Sequence, residues 1–119
     1  MYEIDFYFDS NGKSPVSDYI VALSKSRQKN DRAILKKIIH QLDLLQDLGP
    51  LLKEPQVKFI KGYKHPLMEL RPQPERIFYA SWNKNRYILL HHYSKKKNRT
   101  DPREVHIAIN RLDDWLQRH

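Results

Sequence analysis

The chain has no cysteine, which excludes disulfides and thiolate chemistry and leaves nothing to argue for an oxidising compartment. It has only three glycines in 119 residues, and no G-x-G-x-x-G, Walker-type loop or G-x-S-x-G occurs. Dinucleotide binding, P-loop chemistry and a nucleophile elbow are therefore set aside. The six histidines fall at neither helical nor zinc-like ligand spacing, so no metal is expected. No segment approaches the ~20 apolar residues of a membrane span. The opening MYEIDFYFDSNGK is acidic and aromatic, without the basic leader and apolar core of a signal peptide. A soluble cytoplasmic protein is the expectation.

What is present is positive charge, unevenly placed. The net charge is +8, and the length suits one domain, residues 1–119. Residues 1–59 hold 9 Lys/Arg against 8 Asp/Glu, whereas residues 60–119 hold 13 against 6, so nearly all the excess lies in the second half. An acidic partner such as RNA fits that asymmetry, although basic side chains also serve simply to solvate a surface.

Period-two alternation over Tyr2–Phe8 predicts a half-buried strand, with Tyr2, Ile4, Phe6 and Phe8 on one face and Glu3, Asp5 and Tyr7 on the other. Ser14-Pro15 reads as an N-cap with proline at the first helical position, opening a helix that buries Val16, Tyr19, Ile20 and Leu23. A second helix starts near Asn30-Asp31. It carries Ile34, Leu35, Ile38, Ile39, Leu42, Leu45 and Leu48 at three- and four-residue steps until Gly49-Pro50 stops it. Between Pro55 and Pro66, VKFIK is open between a short strand, a turn of helix and a docked loop. Strands follow at Leu67–Arg71 and Arg76–Trp82, joined by Pro-Gln-Pro, and Asn83-Lys84-Asn85 turns the chain into Arg86–Tyr93. Asp101-Pro102-Arg103-Glu104 has the capping-box pattern and opens a last helix, with Val105, Ile109, Leu112 and Leu116 inward and Ala108 and Trp115 beside them. The order β-α-α-β-β-β-α predicts an α+β domain: an antiparallel β-sheet with two N-terminal helices and a C-terminal helix.

The strand ends of the second half carry the candidate chemistry. Arg71 and Arg76 flank one short turn, so they lie close together, and each can clamp a phosphate through its planar fork or pair with Glu69 or Glu75 at the surface. Neighbouring strand residues face opposite sides, so His91 and His92 cannot both line one site. One is packed or solvated and the other is available as a general acid or base, His92 being a candidate. Lys95–Arg99 is a basic loop beside these ends, serving phosphate or solubility. Tyr79, Trp82, Tyr87 and Tyr93 can stack bases or pack the sheet.

Glu69-Leu70-Arg71, Arg76-Ile77-Phe78-Tyr79, Leu89-Leu90-His91 followed by Lys95-Lys96, and Glu104-Val105-x-x-Ala108, in that order, resemble the HigB toxins of the RelE/ParE superfamily. The likeness is greatest to the branch of phage-derived host-killer-like proteins. The resemblance implies a RelE-like domain and the toxin of a type II toxin-antitoxin system. Such a toxin is a metal-independent, cofactor-free endoribonuclease that cuts mRNA on the ribosome and so inhibits translation. A helix-turn-helix, HigA-like antitoxin would neutralise it, in a heterotetrameric complex. Arg76 then matches the arginine on the scissile phosphate, and Arg71 the strand-end arginine. Lys95 and Lys96 match the basic pair that can supply the general acid, and His106 falls where the RelE branch stacks an aromatic on the substrate base. His92 replaces a frequent glycine and Tyr93 a frequent phenylalanine; Tyr93, Lys97 and Arg99 are placed to bind RNA. The RelE branch has lysines where this chain has Leu67 and Glu69, so its general base is missing here. A ParE-like gyrase poison without nuclease activity and a non-catalytic RNA- or ribosome-binding module are the alternatives.

Overall fold

Among the described residues five strands and three helices follow one another, and a long two-stranded hairpin lies at their centre. The computed structural model, which describes residues 1–96 and 99–119, places β1 at Glu3–Phe6, α1 at Pro15–Lys25 and α2 at Lys29–Leu48. After a single 3-10 turn, Gly49–Leu51, come β2 (Val57–Ile60), β3 (Leu67–Leu70), β4 (Glu75–Asn83), β5 (Arg86–Ser94) and α3 (Pro102–Arg118). The β4–β5 hairpin turns through Lys84 and Asn85, the latter in the left-handed region at φ 61° that asparagine tolerates better than most side chains.

The strand order is β1-β5-β4-β3-β2. Neighbours from β2 to β5 are antiparallel, but β1 runs parallel to β5, with Glu3 opposite Arg86 and Phe6 opposite Leu89. The sheet is thus mixed, which corrects the all-antiparallel expectation. The chain leaves β1 through two helices, re-enters at the far edge and winds back until β5 lies beside β1. The open segment VKFIK supplies that far-edge strand. The α+β architecture otherwise agrees with a RelE-like fold.

Alternation splits the core between two faces. Leu70, Ile77, Tyr79, Tyr87 and Leu89 meet Val16 and Leu23 of α1 and Ile34, Ile38 and Leu45 of α2. On the other face Leu67, Phe78, Ala80, Ile88 and Leu90 meet Val105, Ala108, Ile109, Leu112 and Trp115 of α3. Full burial of such side chains stabilises by roughly 1.5–3 kcal/mol each. Because α3 covers this second face, Tyr7 is buried too and donates to Asp114 Oδ2 at 2.7 Å.

Some expected inward positions point out. Leu116, Ile39 and Leu48 are exposed, since the buried stripe of each helix is narrower than its apolar pattern. Ser14 precedes α1 but does not cap it; its hydroxyl donates to Tyr7 O at 2.7 Å. Asp101 does cap α3, accepting from Arg103 N at 2.9 Å. Among the described residues no helix is long and apolar enough to cross a membrane.

Candidate functional site

The α3 face of the sheet is covered only from Val105 onward, and the strand ends beyond the helix N-terminus stay open. Leu67 and Glu69 of β3, Arg76 and Phe78 of β4, and His91 and Tyr93 of β5 all share this face. Where the apolar pairs end, the polar ones begin. The result is a cleft of about 610 Å³. Its floor and one wall hold Glu69, Arg71, Arg76, Tyr93 and Ser94; Lys95, Lys96, Arg99 and Thr100 form the basic rim. Asp101, Arg103 and Glu104 at the start of α3 close it. Among the described residues, six cationic side chains face three carboxylates, a net +3.

Glu69 is the hub, although only 1 % exposed. Its Oε1 accepts from Arg71 Nε at 3.3 Å and lies 3.8 Å from Arg76 Nε. Its Oε2 accepts from the Tyr93 hydroxyl and from Thr100 Oγ1, the latter at 3.4 Å. Burial, reinforced by the bond to Glu69, pushes the Tyr93 phenol well above its ordinary range, so it stays a donor. Arg76 is fixed further: Nη1 donates to Gln73 Oε1 at 3.1 Å and to Glu75 O at 2.9 Å. Burial draws the Arg76 guanidinium down from its ordinary value while Glu69 opposes that shift. Its Nη2 has no acceptor among the described residues. The arrangement is a preorganised anion site: two planar forks and a phenol, oriented by a carboxylate they share, with lysines at the rim.

The helices on the opposite face hold the strand ends in place. Gln41 of α2 exchanges two hydrogen bonds with the Arg71 backbone, Nε2 to Arg71 O at 3.0 Å and Arg71 N to Oε1 at 3.2 Å. Lys37 Nζ donates to Gln73 O at 3.1 Å. Glu75, 5 % exposed, accepts from the Tyr19 hydroxyl of α1 and from Ser94 Oγ at 2.6 Å.

Of the residues expected from sequence, Arg71, Arg76, Tyr93, Lys95, Lys96 and Arg99 converge on this cleft. His92 does not line it. It faces α1, where it stacks on Tyr19, and burial lowers its basicity. His91 faces α3, so the two histidines do take opposite sides. A bulge helps: Phe78 pairs with His91 and Tyr79 with Leu89, leaving Leu90 as the extra residue on the α3 face. His106 lies outside the cleft, its ring edge-on to Tyr63 at 5.6 Å. Two residues past Glu104 on a helix is a rotation of about 200°, which turns it away. Lys97 lies outside the described residues.

Sequence reasoning did not place Glu69, Thr100, Asp101, Arg103 or Glu104 in the cleft. For Glu69 a signal existed: a carboxylate on the same strand face as Leu67, inside the apolar run LMEL, must be buried and hence partnered. Among the described residues no three His, Asp or Glu converge as a metal would require.

Comparison with known families gives one finding: the model for phage derived protein Gp49-like (DUF891) matches residues 18–113. That span runs from α1 to near the end of α3 and contains every residue of the cleft. No curated protein matches the chain.

Proposed function

From the premise that the chain belongs to the phage-derived Gp49-like family, which is a RelE/HigB-like toxin family, we propose that it is the toxin of a type II toxin-antitoxin system, a ribosome-dependent mRNA endoribonuclease working in the cytoplasm. The observation that carries this reading is the convergence of Arg71, Arg76, Lys95, Lys96 and Arg99 around one buried carboxylate in a cleft of substrate size. A protein that only bound gyrase would have no need of preorganised phosphate donors.

In this reading the RNA 2′-hydroxyl attacks its own phosphorus, the P–O5′ bond breaks, and a 2′,3′-cyclic phosphate and a 5′-hydroxyl result. Arg76, seconded by Arg71, holds the phosphate and neutralises the charge that grows on its oxygens. Lys95 or Lys96 protonates the leaving oxygen. Tyr93, Arg99 and Lys97 bind the flanking RNA. His92 and His106, outside the cleft, take no part in the step. The ribosome aligns the message, and a helix-turn-helix, HigA-like antitoxin opposes the toxin in a heterotetramer.

The test is to induce the chain, map mRNA 5′ ends and measure plasmid supercoiling, with Arg76→Ala alongside. Codon-phased cuts that vanish in the variant support the reading. Loss of supercoiling without cuts replaces it with a gyrase poison, and neither effect with a non-catalytic binding module.

A further inference from the structure

Behind the cleft, Arg111, His91 and Glu104 form a relay whose proton positions can be read from donor chemistry alone. Arg111 Nη1 donates to Leu90 O at 2.9 Å and lies 3.2 Å from His91 Nδ1. A guanidinium has only donors, so Nδ1 must present its lone pair. The ring proton therefore sits on Nε2, 3.1 Å from Glu104 Oε1, and is donated there. No other arrangement satisfies both contacts. Protonating Nδ1 would set a donor against the Arg111 donor.

The surroundings hold this state. His91 is packed between strand and helix, its side chain 12 % exposed, with the Phe78 ring of β4 stacked nearby at 6.4 Å. Among the described residues, the charged and titratable groups that face it are Glu104 and Arg111 from α3 and His92 and Tyr93 from its own strand. Burial lowers its basicity more than Glu104 restores it, and Arg111 adds to the lowering. His91 is a neutral, single-tautomer donor aimed at one oxygen of Glu104.

That geometry separates the two glutamates of the cleft. Glu69 accepts from three side chains and sits against two guanidiniums; protonating it would strand both cations in a buried site. Glu104 differs in each respect. It borders the same cleft, its side chain is 23 % exposed, and among the described residues its carboxylate accepts one hydrogen bond, from a neutral group, on Oε1. Oε2 is left to take a proton while Oε1 stays fixed.

We infer that Glu104 is the carboxylate that accepts the proton of the RNA 2′-hydroxyl, and that His91, locked in one tautomer by Arg111, is its positioning residue. This rests on the nuclease reading and supplies the base which that reading lacks. The 2′-hydroxyl proton passes to Glu104 Oε2 as the 2′-oxygen bonds to phosphorus. The P–O5′ bond breaks and the 5′-oxygen takes a proton from Lys95 or Lys96. Glu104 then releases its proton to water and the lysine regains one.

The experiment is single-turnover cleavage of ribosome-bound message across pH, with the unaltered chain, Glu104→Gln, Glu104→Asp, His91→Asn and Arg76→Ala, each checked by thermal melting. Glu104→Gln keeps the acceptor for His91 but cannot take a proton. It should lose about 10²-fold or more in the cleavage rate constant. Its half-saturating ribosome concentration and melting midpoint should hold, and the acidic limb of the pH–rate profile should disappear. His91→Asn retains a donor and should lose less; Glu104→Asp should fall between. In parallel, two-bond ¹⁵N–¹H correlation on the unaltered chain should find His91 protonated at Nε2 alone at neutral pH. Glu104→Gln cleaving at the full rate with its acidic limb intact, while Arg76→Ala is inactive, overturns this inference and leaves the nuclease reading standing. A proton on Nδ1 overturns the positioning role. No cleavage by the unaltered chain removes the nuclease reading and this inference together.

Discussion

The ring of Tyr19 lies flat on that of His92, with centroids 4.1 Å apart and planes 8° from parallel. Helix α1 meets the end of β5 through this stack, and the Tyr19 hydroxyl continues to Glu75, the residue before Arg76. The stack has an electrostatic consequence. Burial, with His91 beside it, lowers the basicity of His92 below the ordinary value of 6.5, and burial does the same to His91.

Stability should therefore fall as the solution is acidified through the histidine range. Both groups bind protons less readily folded than unfolded, so between 6.5 and their depressed folded values the unfolded chain carries more protons. Stability is complete above 6.5 and is lost progressively below it. The carboxylates held low by their partners, Asp5, Asp113 and Asp114, lose their contribution only beneath 3.8, outside that window. Melting midpoints measured from neutral pH downward should decline, and His92→Phe, which keeps the stack, should flatten the decline. An identical slope in the variant would remove His92 from the account.

Much of this was legible in the chain, for local reasons. Helix α2 and the β4–β5 hairpin declare themselves through periodicity and turn residues, and the clustering of Arg71, Arg76, Tyr93 and Lys95 follows from strand ends joined by short turns. What stayed hidden is non-local. Nothing near Glu3–Phe6 says that its partner is β5, eighty residues on, or that the pairing is parallel. The brevity of Val57–Ile60 between prolines hid an edge strand. Glu69 reads as half of a surface ion pair until the fold buries it. Glu104 reads as a helix cap, and only packing turns it toward His91. His106 falls outside the cleft because motif order sets no helical phase.

Removing the hub should cost stability as well as activity. Glu69→Ala leaves Arg76, whose side chain is 3 % exposed, without its carboxylate in a nearly dry site. Breaking a buried pair by deleting one partner costs about 3–5 kcal/mol. Denaturant unfolding should place Glu69→Ala near that loss. Arg71→Ala should lose less, because Arg71 is 24 % exposed and water can replace it. Equal losses would mean that the ion pair with Arg76 contributes little.

Gly49 offers a check away from the cleft. It ends α2 at φ 52°, and a Cβ there would run into the Tyr2 ring, itself packed near Tyr87. Gly12 also has a positive φ, 82°, but open space around it. Both alanine substitutions incur a positive-φ backbone penalty, heavier at Gly49, where ψ of −121° lies outside the left-handed helical region. Only Gly49→Ala adds a steric one, so its melting midpoint should drop further. Equal drops would mean that Tyr2 moves aside freely.

The sharpest prediction for the cleft compares charge with shape at Arg76. Its guanidinium spends Nη1 on Gln73 and on the Glu75 carbonyl, and Nε faces Glu69. The fork is therefore aligned before any phosphate arrives. Arg76→Lys keeps the positive charge beside Glu69, so the fold should survive, but one ammonium cannot hold that orientation and also present a second donor to the phosphate. The cleavage rate should fall by on the order of 10²-fold, close to the loss expected for Arg76→Ala. At the rim the outcome should differ. Lys95 and Lys96 are adjacent point charges that can substitute for one another, so either alanine variant alone should lose little and the pair together much more. Rates from ribosome-bound message decide both. Full activity in Arg76→Lys would mean that charge alone suffices, and full activity in the double lysine variant would reduce the rim to solvation.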